Sequence, residues 1–140
     1  LVYHIAMEFV IMSDAIIEHM PRGRGYLSDQ LQRAALSISL NIAEGAGEYA
    51  IDEKVRFYRM ARRSATECAG ILDVCQKLQL LDEQKYIKGR ELIVRIVSIL
   101  VKMAQRKNNR VRSDRGRDIG TGGGTGRGRG RGRGTGLQFQ

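Results

Sequence analysis

The sequence predicts an all-α fold: an antiparallel up-down four-helix bundle followed by a disordered Gly/Arg-rich tail. Three observations carry this expectation. Apolar residues recur with a helical period while strand-like alternation is absent. The sole proline is Pro21, so little interrupts long helices. Short turn-like stretches divide the first 107 residues into four segments, and short connections favour antiparallel neighbours. The predicted division is a bundle over 1–107 and a tail over 108–140.

The first helix is expected from Val2 to about His19, with Ile5, Phe9, Met12 and Ile16 on one side. "MPRGRGY" ends it with a proline and two glycines. The second begins near Ser28, a plausible N-cap, with Asp29 in the first turn where it complements the helix dipole. Gly45 and Gly47 are expected to end it, because glycine tolerates a left-handed C-cap. The third covers about Ile51 to Leu78, burying Phe57, Ala61, Ser64, Cys68, Ile71, Leu72 and Cys75. The fourth starts after Asp82, another N-cap residue, and runs to about Lys107. Beyond Asn108 the apolar period stops, and "GTGGGTGRGRGRGRGTG" has too little to bury against its ordering entropy.

Charge is divided as sharply as hydropathy. The chain of 140 residues carries a net +9. From Arg106 onward there are ten Lys/Arg, two Asp and eleven Gly, a net +8, which leaves about +1 for the rest. The bundle is therefore nearly neutral, and the basicity belongs to the tail. Within that tail Arg127, Arg129, Arg131 and Arg133 alternate with glycine, giving a cationic strand suited to phosphate contact and base stacking. A solubilising or accidental repeat is the competing reading.

The faces of the second and fourth helices are unequal to the needs of a monomer. On the second, Leu27, Leu31, Ala34, Ala35, Ile38 and Ile42 form the core stripe, and Gln30, Arg33, Ser37, Asn41 and Glu44 form a polar row beside it. Leu36, Leu40 and Ala43 then make an outer apolar strip for which a monomeric bundle has no use. On the fourth helix Arg95, Ser98, Lys102 and Gln105 share a narrow stripe, and apolar residues take the remaining arc of about 220°, against the ~100° one core needs. A homo-oligomer with the outer strips buried between subunits is expected; a thick, irregular monomer core is the alternative. The apolar run is too short and too charged to span a bilayer, so no membrane role is expected.

Catalysis and metal binding fail on inventory. His4 and His19 are the only histidines, and no Glu-x-x-His pair is present. Cys68 and Cys75 lie too far apart on one helix for a bridge and read as reduced core thiols of a cytoplasmic protein. The N-terminal apolar pattern is interrupted by Glu8 and Asp14 and gives no secretory leader. Neither Gly23-x-Gly25 nor Gly45-x-Gly47 makes a phosphate-binding fingerprint. No enzyme activity, metal or cofactor is expected. In the folded part, Arg56, Arg59 and Arg63, with Arg62 at the edge, form a stripe able to track phosphates. A solvated face with an Arg63–Glu67 helical pair is the equal alternative.

"LSDQLQRAALSISLNIAEGAGE" followed by "EKVRFYRMARRSATE" resembles the four-helix-bundle proteins encoded by intervening sequences in bacterial 23S rRNA genes. The family pattern falls on Gln30, Arg33, Ala34, Ser37, Ile38 and Asn41–Gly45, and its next block on Glu53, Arg56, Phe57, Ala61, Ser64 and Glu67. The same superfamily includes the accessory variability proteins of diversity-generating retroelements. The resemblance implies a four-helix protomer in a barrel-like homopentamer without enzymatic activity. RNA binding is the function commonly proposed for the rRNA-encoded members, while the retroelement relatives bind nucleic acid and a reverse transcriptase. Ala50 departs from the Ser or Thr usual ahead of the third helix, leaving Asp52 as a substitute cap. The expected function is a non-enzymatic, oligomeric, nucleic-acid-binding accessory protein, with RNA as the partner. The alternative is a scaffold that docks a reverse transcriptase in a diversity-generating retroelement.

Overall fold

The computed structural model describes residues 1–118. They form four helices: α1 (Val2–Glu18), α2 (Gly25–Gly47), α3 (Ile51–Lys77) and α4 (Glu83–Asp118). Each packs on the next along the chain and α1 closes on α4, so the four stand around one core in up-down order. Antiparallel packing is visible at single residues: Gly45 near the end of α2 meets Tyr58 near the start of α3, and Gly89 early in α4 meets Leu72 late in α3 and Met12 late in α1.

The core has one apolar stripe from each helix. Phe9, Leu31, Ile38, Leu72, Ile96 and Leu100 are its largest fully buried side chains. Cys68 and Cys75 are free and buried within it, and burial together with the Glu67 charge pushes the Cys68 thiol up to about 12. Of the third-helix residues expected inside, Phe57 and Ser64 are only half-buried, while Val55, Tyr58 and Ala65 are buried in addition. The buried strip of α3 is rotated slightly from its expected position because Tyr58, not Phe57, turns toward the centre.

Four element ends differ from the sequence expectation, in position or in how they are capped. α2 starts at Gly25, ahead of Ser28: the Arg24 carbonyl accepts from the Leu27 and Ser28 amides, and the buried Leu27 anchors this first turn. Its C-terminus uses no left-handed glycine, since Gly23 and Gln79 are the positive-φ residues among those described. Lys54, in the first turn of α3, instead donates to the carbonyls of Gly45 at 2.9 Å and Ala46 at 3.3 Å. That ammonium satisfies orphan carbonyls and meets the negative end of the helix dipole.

α3 starts at Ile51 with Ala50 at the N-cap and no side-chain cap, so Asp52 contributes only charge in the first turn. The Asp82 cap is present: its carboxylate accepts from the Lys85 amide at 2.8 Å. The largest difference is at the other end of α4, which continues to Asp118, past the boundary expected after Lys107. Arginine and lysine are good helix formers, and an established helix propagates without a new nucleation cost. The end of the apolar period therefore closes the core without closing the helix. The Arg127–Arg133 repeat lies outside the described residues.

Candidate nucleic-acid interface

The polar row of α2 faces α3 and is partly joined to it. Ser37 and Ser64 share a 2.8 Å hydrogen bond across the two helices. Asn41 donates from Nδ2 to the Ser37 hydroxyl at 3.0 Å and to its carbonyl at 2.9 Å, which orients that hydroxyl. Arg33 pairs with Glu67 at 3.5 Å, with both side chains largely exposed. In the alternative reading of the α3 face Glu67 pairs with Arg63; here it bridges to Arg33 on α2. Gln30 and Glu44 are exposed and add nothing to this network. Gly45 is buried, and a Cβ there would stand 2.7 Å from Tyr58 Cε1. Within the row, Ser37 and Arg33 pair α2 with α3, and Asn41 orients Ser37.

The outer strips are exposed on the protomer. Leu36 and Leu40 are 49% and 55% exposed, and Ala43 is also exposed. Tyr3, Met7 and Ile11 repeat every four residues on α1 and are exposed as well. Ile11 and Leu36 line one groove together with Asp14 and Gln32, so the α1 and α2 strips adjoin there. The broad apolar arc of α4 is mostly absorbed by the protomer: Leu92, Ile93, Ile96 and Leu100 are buried and Val97, Ile99 and Met103 pack against the core. What remains exposed there is Ile87 and Val94.

The α3 arginines are not one uniform stripe. Arg56 is tied to Glu53 at 2.9 Å and lies over the Phe57 ring at 5.0 Å, which partly neutralises it. Arg59, Arg62 and Arg63 follow, with Arg59 and Arg63 exposed. Arg59 and Arg62 face α4 across a cleft of about 200 Å³, lined also by Tyr58, Leu100, Gln105 and Asn108. Beyond this cleft α4 carries Lys102, Arg106, Lys107, Arg110, Arg112, Arg115 and Arg117, with Asp114 among them. No described residue past Leu100 is buried, so the cationic segment is presented to solvent on a helical frame.

The sequence does not reveal this arrangement, because the apolar period that marks a bundle helix ends near Lys107 and the charged turns beyond it have no core stripe. The pairs Arg59/Arg62 and Gln105/Asn108, each one helical turn apart, were the available signal. Among the described residues no group of three or more His, Cys, Asp or Glu stands where it could hold a metal ion. No described helix is long and apolar enough to cross a membrane.

The family of 23S rRNA-intervening sequence proteins matches residues 1–102. The chain belongs to that family. Its fold is also that of a protein of unknown function from the S23 ribosomal protein family of Bacteroides thetaiotaomicron VPI-5482, with a TM-score of 0.70 and 17% identity over 74% of this chain and 98% of that one. Among curated proteins, none matches. For this 23S rRNA-intervening sequence protein, the match takes in the α2–α3 network, the outer apolar surface and the α3 arginines. It stops ahead of Arg106, so most of the cationic segment of α4 is an addition to the family's matched region.

Proposed function

We propose that the protein is a non-enzymatic, oligomeric accessory protein that binds RNA along its α3–α4 flank. The observation that carries this reading is the solvent-facing cationic segment of α4, continuous with Arg59 and Arg62 on α3. Helical spacing holds these charges apart at fixed intervals, a geometry that neutralises successive phosphates and releases their counterions. The family's name, which ties it to 23S rRNA genes, supports RNA as the nucleic acid. Assembly into a homo-oligomer, a pentamer by family resemblance, uses the exposed apolar surface of α1 and α2 and multiplies each weak phosphate interaction by avidity. A cytoplasmic location fits the two reduced, buried thiols.

The second reading, docking of a reverse transcriptase as in diversity-generating retroelements, draws on that same apolar surface. It lies on α1 and α2, away from the cationic flank, so one protomer has room for a protein partner and RNA together.

The test reverses charge on one side of the α4 segment in the full chain, with Arg106→Glu, Arg110→Glu and Arg117→Glu combined. All three are exposed, so folding and particle size are expected to be unchanged. Affinity for a structured RNA, followed by fluorescence anisotropy across a salt series, should fall. The slope of log affinity against log salt should become shallower by roughly 1 for every phosphate that the variant no longer neutralises. Wild-type affinity and slope in this variant would refute the RNA-binding flank.

A further inference from the structure

We infer that the cleft between α3 and α4 beside Tyr58 is a pocket for one unstacked nucleotide of single-stranded RNA, a site that rests on the RNA-binding reading. At about 200 Å³ it is smaller than the ~300–1,000 Å³ of pockets for drug-sized ligands or whole cofactors, which limits the occupant to a group such as a single base. Its lining divides by chemistry. Leu100 gives an apolar wall that can cover a base face. Gln105 and Asn108, one turn apart on α4, each present an amide donor beside an acceptor, the complement of a base edge.

On the opposite wall Arg59 and Arg62, one turn apart on α3, line the cleft, and the Arg62 guanidinium would meet the nucleotide's phosphate. Tyr58 adds a phenol to the lining. The residue is only 4% exposed and lines the cleft. Burial raises its pKa, so the phenol stays neutral and able to donate or accept.

This combination selects against duplex RNA. In a helix the bases are stacked and their Watson–Crick edges are already used, whereas loops and single strands can splay a base out. The cationic segment of α4 leads away from the mouth of the cleft and would carry the flanking phosphates. Phosphate binding would then set affinity and the amide pair would set base preference.

The experiment measures binding of the full-length protein to four short fluorescein-labelled homopolymer RNAs, one for each base, and to a blunt RNA duplex. Wild type should prefer one or two bases. Gln105→Leu combined with Asn108→Leu should weaken the best-bound homopolymer by roughly five- to a hundredfold and flatten the differences among the four. Its duplex binding should be unchanged. Arg62→Gln should weaken all four alike. Light scattering and thermal melts confirm that each variant keeps its size and fold, as expected for side chains at a cleft rim. If wild type binds the homopolymers and the double amide variant binds each of the four as tightly as wild type does, with the same preferences, the nucleotide pocket falls while the RNA-binding flank stands. If wild type binds no RNA at all, both fall.

Discussion

Two glycines of the same short stretch do different work. A Cβ at Gly45 would stand 2.7 and 2.9 Å from Tyr58 ring carbons and 3.2 Å from Phe57 Cβ, whereas Gly47 has open space around it. Neither has a left-handed backbone, so the distinction is packing and not conformation. Gly45→Ala is expected to cost about 1–3 kcal/mol by forcing Tyr58 and α3 outward. Gly47→Ala should be neutral, or stabilise by up to about 1 kcal/mol through helix propensity. Chemical denaturation of the two variants checks both, and equal midpoints would contradict the close approach at Gly45. In the sequence both glycines read as turn formers, since nothing local reveals that a tyrosine distant along the chain presses on one of them.

At the scale of elements, the α3–α4 connection carries a residue in an unfavourable conformation. Gln79 sits at φ +58°, the Leu80 amide bonds back to the Cys75 carbonyl at 2.8 Å, and this pattern closes the end of α3 where glycine is the usual residue. Gln79→Gly should relieve the left-handed cost of about 1–2 kcal/mol while adding backbone entropy to the unfolded chain. A net gain of about 0.5–1 kcal/mol is expected, read from a higher denaturation midpoint with unchanged slope. Element existence was legible throughout, because each helix shows its own apolar period. Element ends were less so: the Lys54 cap acts from the next helix, and α4 outlasts its apolar stripe on the strength of arginine and lysine.

The whole molecule presents two unlike sides. The apolar surface of Tyr3, Met7, Ile11, Leu36, Leu40 and Ala43 belongs to α1 and α2, and the cationic flank belongs to α3 and α4. A symmetric assembly through the first would leave the second open and repeat it. Leu40 is 55% exposed, so Leu40→Glu meets no steric or burial penalty inside the protomer. It should dissociate the oligomer while leaving the protomer's helicity and thermal melt nearly unaltered. Light scattering and circular dichroism on the same sample check this. A mass equal to wild type would show that the strip is not an interface.

The sequence by itself determined the fold class, the order of the four helices, the core stripe of α2 and the outer strip beside it. Those are properties of periodicity, and periodicity is local. It also pointed to the family through a long motif on Gln30 to Gly45, whose polar members then divided: Ser37 and Asn41 joined the interface with α3, and Glu44 stayed in solvent. Only the tertiary structure decided that Arg33 meets Glu67, that Gly45 makes room for Tyr58, and that Arg62 faces Gln105 and Asn108 across one cleft. Each of those depends on the axial offset of two antiparallel helices. That offset is set by side-chain packing across the core, and no spacing along either helix records it.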